Sequence, residues 1–298
     1  MLLLITSSGD ATADLLISNF KKPVFRFNLD IYDEYKFKFD PFHWEIENPF
    51  GLKIDSTIAT RCAWWKAYLS LSDEDLYVRS EVRYVANEIY SWFKHQKLII
   101  GNAPSTDESL GKVRQSSIAS KYFVIPEQYV VWGPGFNSDF SGEKTWIVKS
   151  LSSQLTSNRH ALFTTEVKVP SLDPKYPWYI QRKILSKKDV TVLVVDRQYF
   201  AFSRDRTISN TLDWREEIFS KSVPWIEYPL LERDRLNLSK MLDEMSISWG
   251  RIDFLDTTDG LVFLEINPNG QWGFLDIENT HGIQNAVANF FENGLTHS

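Results

Sequence analysis

The chain has 298 residues, more than one hydrophobic core usually serves, so two or three domains are expected. Its 43% hydrophobic and 24% charged residues are typical of a soluble globular protein. The formal net charge of -6 argues against proteins that coat nucleic acid or anionic membranes, since both functions need a basic face. Cys62 is the single cysteine, which excludes an internal disulfide framework and predicts a reducing compartment.

The apolar start of the chain is predicted to be a buried β-strand. The run Leu2–Thr6 stops at Ser7-Ser8-Gly9-Asp10, and no basic segment precedes it. It is far shorter than the roughly 20 apolar residues that span a bilayer. We therefore expect neither a signal peptide nor a membrane anchor, and a cytoplasmic location.

The first hundred residues read as an α/β unit. A strand, a helix and a second strand are predicted at 2–6, 11–20 and 24–28, an order that favours a parallel sheet. The stretch 31–60 gives no firm assignment. Apolar residues at three- and four-residue steps predict a helix over 72–93, and Gly101–Ser105 breaks the pattern as a first domain boundary.

The rest of the chain changes to longer β-runs. The predicted helices are 107–121, 233–245 and 283–291, and the predicted strands are 145–149, 178–184, 190–195, 199–203, 249–255 and 261–266. Residues 150–160 are polar and serine-rich and are predicted to form a loop. These elements divide the chain into an N-terminal domain (1–102), a central lobe (103–183) and a C-terminal lobe (184–298).

The most informative chemistry lies in the last two predicted strands. Because alternate side chains share a face of a strand, Asp253 points away from Ile252 and Phe254, while Glu265 and Asn267 point the same way as each other. If the strands pair through the Asp-Gly turn, three oxygen-bearing side chains converge on one side of a hairpin. The alternative is a solvated hairpin face.

Hard oxygen ligands, two of them anionic, suit Mg²⁺, which prefers a few carboxylates together with substrate phosphates. Glu265 and Asn267 interrupt an apolar strand and lead directly into a Pro-Asn-Gly turn. This pattern favours a metal site over a solvated face. A metal placed there would bridge the phosphates of ATP and offset the charge that develops in phosphoryl transfer.

Three motifs carry a family resemblance. Glu265–Trp272 reads Glu-Ile-Asn-Pro-Asn-Gly-Gln-Trp, Asp213–Arg215 reads Asp-Trp-Arg, and Ala63–Lys66 stands ahead of Arg79–Arg83. Together they resemble ATP-grasp peptide ligases of the microviridin type, the graspetide synthetases, over nearly the whole chain. Those enzymes make side-chain ester or amide links in a ribosomal precursor peptide. The resemblance implies an α/β fold of α+β lobes: an ATP-grasp fold with a pre-ATP-grasp domain, a central lobe and a C-terminal lobe.

The resemblance also implies ATP and Mg²⁺ as cofactors and assigns site residues. The implied metal ligands are Asp253, Glu265 and Asn267; the implied nucleotide contacts are Lys112, Lys149, Gln181, Lys183, Ile184 and Asp189. The two lysines Lys112 and Lys149 would neutralise phosphate oxygens, the alternative being a surface role with a snorkelling side chain. Gln181 and Ile184 belong to the strand edge that meets adenine, and Asp189 would contact ribose or substrate.

One position departs from the family pattern. The family carries an arginine two residues after the acidic position, and Thr191 stands there in this chain. Arg204, Arg206 or Arg215 would then act near the transferred phosphate, with Asp189 as a further catalytic candidate.

Three functions are compatible with these features. The first is a macrocyclising ligase that converts a side-chain carboxylate of a ribosomal precursor peptide to an acyl phosphate, which a hydroxyl or amine of the same peptide displaces. The second is a ligase that adds a free amino acid to a peptide or protein. The third is a degenerate ATP-grasp protein that binds a leader peptide without chemistry. The resemblance also implies a homodimer, and Trp64, Trp65 and Trp214 are candidates for lining a peptide groove.

Overall fold

A computed structural model describes residues 1–67, 69, 76–102, 110–136, 140, 144–151, 163–208, 212 and 223–294. The strands of these residues form four sheets, with helices packed against them. The predicted α/β character is therefore confirmed. In the described part of the chain, no helix combines the length and the hydropathy needed to cross a membrane.

The N-terminal sheet is parallel and has the order β2-β1-β6-β7. Its elements are β1 (Leu2–Thr6), α1 (Ala11–Ser18), β2 (Val24–Asn28), β6 (Arg61–Trp64), α2 (Leu76–His95) and β7 (Ile99–Ile100). Asp10 begins α1, because its side chain accepts a hydrogen bond from the amide of Ala13 and so satisfies one of the free N–H groups of the first turn. The predicted strand–helix–strand opening is confirmed, although the helix ends two residues earlier than predicted.

The stretch that the sequence left unassigned contains a small antiparallel sheet. Its order is β3-β4-β5, and its strands are β3 (Lys36–Phe39), β4 (Trp44–Glu47) and β5 (Lys53–Asp55), preceded by a 3₁₀ segment, Leu29–Glu34. Trp44 and Ile46 are buried and share a core with Phe93 of α2. Strands this short contain too few residues for a period-two pattern to be seen in the sequence.

The central sheet is antiparallel and has the order β10-β9-β11-β8. Its strands are β8 (Gln128–Val131), β9 (Trp146–Lys149), β10 (Thr165–Val167) and β11 (Trp178–Arg182), and α3 (Lys112–Ala119) precedes them. The predicted strands at 145–149 and 178–184 are confirmed with slightly shorter bounds, whereas β8 and β10 were not predicted. The helix predicted over 107–121 is correct in type but too long, since Gly111 caps α3 and a turn follows it.

The C-terminal sheet is antiparallel and has the order β14-β13-β12-β15-β16. Its strands are β12 (Lys188–Val195), β13 (Gln198–Asp205), β14 (Ile226–Glu227), β15 (Trp249–Thr257) and β16 (Gly260–Asn267), with helices α4 (Glu232–Met245) and α5 (Ile283–Asn293). Two 3₁₀ segments, Val169–Ser171 and Gly273–Leu275, lie outside these elements. All four long strands and both helices predicted for this part are confirmed.

The C-terminal sheet is covered by helices on both faces. Val190, Val192 and Ile252 on one face pack against α3 and α4. Leu193 and Trp249 on the other face belong to a core that includes α5 and residues of β1 and α1. The three-domain division remains a prediction, and α3, assigned to the central lobe, packs on the C-terminal sheet.

Candidate active site

The carboxylate hairpin has the predicted geometry. β15 pairs with β16 in a register that sets Asp253 opposite Glu265 and Arg251 opposite Asn267, and the turn between the strands is Thr258-Asp259. The register shifts by a β-bulge between Asp253 and Phe254. Bulges bend a strand and change the direction of its side chains. This bulge lies between the polar end of the hairpin, with Asp253 and Glu265, and the end with regular pairing from Phe254 onward.

Each carboxylate of the hairpin contacts a cation. Lys112 Nζ donates to Glu265 Oε2. The Asp253 carboxylate accepts from the Thr191 hydroxyl at 2.8 Å, and its second oxygen accepts from Arg251 and from the Asn267 amide, both at 3.2 Å. The four charged side chains are at most one-quarter exposed, so the pairs lie in a partly desolvated environment where charges interact more strongly than in water.

Helix α3 fixes the position of Lys112. The helix begins at Lys112, which is an unfavourable place for a cation because the positive end of the helix dipole lies there. The amide of Ile266 donates to Gln115 Oε1 at 3.0 Å, so the first turns of α3 are bonded to β16. A lysine placed there is stabilised by an anion, here Glu265.

A second charged group lies on the same face of the sheet. Asp189 and Arg204 are opposite each other on β12 and β13, and Asp189 accepts from Arg206 at 2.5 Å, with Arg204 at 3.7 Å. Burial raises the pKa of Asp189, and the two guanidinium groups oppose that rise. Burial also lowers the pKa of Arg204. Two arginines against one carboxylate leave an excess of positive charge beside the hairpin.

Thr191 connects the two groups. It lies on β12 between Asp189 and the buried apolar residues at the end of that strand. It is 1% exposed and pairs with Asp253 across β12 and β15. The family position of an arginine is therefore occupied by a hydroxyl that holds the Asp253 carboxylate. Arg204 lies on the neighbouring strand β13, and Arg206 follows the end of that strand.

One face of the central sheet carries polar side chains. By register, Lys149, Tyr179 and Gln181 point the same way, together with Ile147, opposite the face that contains Trp146 and Ile180. Burial raises the pKa of Tyr179 to about 12, and the charge of Glu265 adds to the rise, which places this face next to the carboxylates. A cleft of about 710 Å³ opens between α3 and this sheet.

The remaining predicted nucleotide contacts differ in burial. Gln181 is buried and its amide donates to Gln128 at 3.2 Å. Lys183 pairs with Glu166 at 2.6 Å, and Ile184 is half-buried in the segment that joins the central and C-terminal sheets. Arg215, with the rest of the Asp213–Arg215 motif and the loop 152–160, lies outside the described residues.

Sequence reasoning missed several residues that contact the site. Arg251 could have been found as a charge in an otherwise apolar strand. Asp10, Asn102 and Gln271 form contacts more than 140 residues apart in sequence, and no local pattern indicates these. The prediction that Trp65 lines a peptide groove is wrong, because its side chain is fully buried and packs against Trp249.

The donor set fits Mg²⁺ held partly by a nucleotide. Asp253, Glu265 and Asn267 supply two carboxylates and one amide, all hard oxygen donors. The described residues contain no group of three or more His, Cys, Asp or Glu side chains that could hold a metal by themselves. Phosphate oxygens would complete such a site, which is how Mg²⁺ is usually bound in phosphoryl-transfer enzymes.

Comparisons with known proteins identify the fold. No family model and no curated protein sequence matches the chain. The structure of macrocyclase MdnC bound with precursor peptide MdnA from Microcystis aeruginosa MRC matches with a TM-score of 0.80 and 22% identity, over 98% of this chain and 99% of that one. A Chryseobacterium gregarium RiPP-associated ATP-grasp ligase, in complex with ADP and a leader and core peptide, matches with a TM-score of 0.76 and 22% identity, over 97% and 96%.

A more distant match extends the same fold. The D-alanine–D-alanine ligase from Bacillus anthracis, complexed with ATP, gives a TM-score of 0.55 at 10% identity, over 97% of this chain and 94% of that one. The chain therefore has the ATP-grasp fold, as its sequence predicted. By TM-score the chain is more similar to MdnC and to the Chryseobacterium gregarium ligase than to the D-alanine–D-alanine ligase.

Proposed function

We propose that this chain is an ATP- and Mg²⁺-dependent ligase that forms side-chain ester or amide links within a ribosomally made precursor peptide. The observation that carries the proposal is the juxtaposition of Asp253, Glu265 and Asn267 with Lys112, beside an arginine pair on the same sheet face. Polyphosphate, metal and a carboxylate substrate need this combination of anions for the metal and cations for the phosphates.

Each group of side chains would have its own role in binding. Asp253, Glu265 and Asn267 would hold Mg²⁺; Lys112 and Lys149 would bind phosphate oxygens, and Gln181, Lys183 and Ile184 would line the adenine side. When bound, the nucleotide and metal supply the phosphoryl group and offset its charge. Lys112 donates to Glu265, so a phosphate-binding cation and a metal ligand are neighbours. A bound phosphate would give Lys112 a second anion and leave Glu265 available to the metal.

Arg204 and Arg206 would bind the activated carboxylate of the peptide. Asp189 holds Arg206 at 2.5 Å and so fixes its guanidinium before substrate arrives. Preorganised cations in a site of low dielectric stabilise developing negative charge without reorganising during the reaction. Arg215 stays a further candidate for this role.

The peptide substrate is proposed from two relatives. One is called a macrocyclase and has a precursor peptide bound, and the other is a ligase in complex with a leader and core peptide. In the proposed reaction a carboxylate takes the terminal phosphoryl group, giving an acyl phosphate and ADP. A serine or threonine hydroxyl, or a lysine amine, of the same peptide then attacks the acyl carbon, loses its proton and displaces phosphate. Each link therefore removes one water from the peptide. A cytoplasmic location and a homodimer remain part of the proposal.

The test is the intact mass of the precursor peptide after incubation with the protein, ATP and Mg²⁺. We expect mass losses equal to one water for each link, dependent on ATP. A mass gain equal to an amino-acid residue, when free amino acids are supplied, would instead identify a ligase that adds amino acids. An unchanged peptide with no peptide-dependent ATP consumption would overturn the proposal and leave a leader-binding protein.

A further inference from the structure

The turn after β16 is packed against β15. It runs from Asn267 through Pro268 and Asn269 to Gly270, whose amide donates to the carbonyl of Asn267 at 3.0 Å. Proline in the second place and glycine in the fourth are favoured in such turns. A Cβ on Gly270 would lie 2.7 Å from Arg251 Cβ, so no other residue fits without a shift. Because Asn267 begins this turn, the position of its amide depends on what holds the turn.

Asn102, at the end of the N-terminal domain, holds the turn from one side. Its side chain is 6% exposed, and its amide donates to the carbonyl of Trp249 at 3.0 Å and to the carbonyl of Pro268. One side chain thus bonds the first residue of β15 to the second residue of the turn. An aspartate or alanine at position 102 could not donate to either carbonyl.

Asp10 holds the turn from the other side. One of its oxygens accepts from Gln271 Nε2 and from Trp65 Nε1, both at 3.1 Å, while the other caps α1. Asp10 follows β1, and Trp65 follows the neighbouring strand β6. In the sheet order β2-β1-β6-β7, β2 lies on one side of β1 and β6 on the other, so the winding of the chain changes direction between β1 and β6. Open α/β sheets usually bind their ligands at that crevice. In this chain, Gln271 lies at that crevice and donates to Asp10.

Arg251 connects the turn to the second carboxylate. One guanidinium nitrogen donates to the carbonyl of Gln271 at 2.9 Å, and another donates to Asp253 at 3.2 Å. Its guanidinium lies 5.7 Å from the ring centroid of Phe274, which supports the plane of the group. A continuous series of hydrogen bonds therefore joins Asp10 to Asp253 through Gln271 and Arg251.

We propose that Asn102, Asp10 with Gln271, and Arg251 are positioning residues for the metal, so that the N-terminal sheet sets the metal affinity of the hairpin. This inference rests on the proposed function, since it assumes that Asp253 and Asn267 are ligands. Hydrogen bonds to metal ligands fix their orientation, and losing one typically lowers metal affinity by about 10- to 100-fold.

The experiment measures Mn²⁺ binding, in the presence of ADP, by the loss of the electron paramagnetic resonance signal of free Mn²⁺. The full chain is compared with Asn102→Ala and Gln271→Ala. Asn237→Ala is the matched control, because its amide also donates to a backbone carbonyl, that of Tyr122, at 2.9 Å, on the far side of the sheet. We expect weaker Mn²⁺ binding in the first two variants, by about 10-fold, the lower end of the range for groups that contact a ligand directly, and wild-type binding in the control. ADP affinity without metal should remain that of the wild type.

Two outcomes would overturn the inference: unchanged Mn²⁺ affinity in both variants, or an equal loss in Asn237→Ala, which would indicate a general loss of stability. If Asn102→Ala does not fold, Gln271→Ala decides the question, because it removes one part-buried amide and leaves the cap of α1 intact. Failure of the proposed function looks different. The wild-type chain would then bind no Mn²⁺ with ADP, or Asp253→Asn would bind it as well as wild type.

Discussion

The two halves of one face of the C-terminal sheet have opposite chemistry. At one end of β12 and β15, Thr191 and Asp253 are bonded to each other and lead to the charged groups of the site. One step further along the same face of β12, Leu193 and Val195 are fully buried beneath α5, while Arg251 and Asn267 lie level with Leu193 on the neighbouring strands. Along β12, two residues, about 7 Å, separate a polar cleft from a hydrophobic core.

The difference comes from what covers each half. The apolar half is covered by α5 and by Trp272, both of which follow the hairpin in sequence. The polar half faces the central sheet, whose side chains there are Tyr179, Gln181 and Lys149. The reverse face is apolar from Val190 to Val194 of β12 and packs on α3 and α4. The strands are therefore anchored by most of one face and half of the other, which allows the remaining half to hold buried charges.

The largest effect on activity is expected at the polar half, from Glu265→Gln. A neutral amide at this position removes an anionic metal ligand and the partner of Lys112. Loss of one such electrostatic group costs about 10²- to 10³-fold in turnover, and loss of a metal ligand adds to that. We expect no detectable modified peptide by mass spectrometry and a circular dichroism spectrum like that of the wild type.

Glu244→Gln is the control for that variant. Glu244 also pairs with a lysine near α3, Lys121, but the pair is exposed and lies away from the hairpin. Exposed pairs contribute little to stability, so this variant should keep full activity. Wild-type turnover by Glu265→Gln would remove Glu265 from the metal site.

The apolar half should respond in stability, through Leu193→Ala. Leu193 is 0% exposed, and truncating a buried leucine costs about 2–5 kcal/mol of unfolding free energy. Urea unfolding should show a lower midpoint, while turnover per folded molecule stays within a few-fold of the wild type. A large loss of turnover at wild-type stability would show that the two halves are not separate in function.

The sequence was most informative about this sheet. Long strands make alternation visible, and the break in the apolar pattern at Glu265 and Asn267 predicted the polar half of the hairpin. The bulge after Asp253 was not predicted, because no residue type specifies it. The short strands of 31–60 could not be assigned, because each contains too few residues to show alternation.

Contacts between residues far apart in the sequence were the part of the site that the sequence could not predict. Arg204 and Arg206 were named from the sequence only as candidates to replace the arginine missing at Thr191; both lie beside Asp189, and their roles stay predictions. The bonds of Asn102 to Pro268 and of Asp10 to Gln271 depend on how the N-terminal sheet docks against the C-terminal lobe. Docking is decided by packing of side chains such as Trp65 and Trp249, which local periodicity does not describe.

The smallest effect is expected at the boundary between the halves, from Thr191→Val. Valine keeps the shape of the side chain but cannot donate to Asp253, whose oxygen then loses its 2.8 Å hydrogen bond. Leaving such a buried acceptor without its donor costs about 1–3 kcal/mol, and the misplaced carboxylate should weaken Mn²⁺ binding by about 10-fold. Both are smaller than the losses in Glu265→Gln. Thr191→Ser restores the hydroxyl and should recover the metal affinity. A serine variant that binds Mn²⁺ as weakly as the valine variant would mean that Thr191 acts by packing, as Leu193 does. The hydrophobic half of the face would then include Thr191.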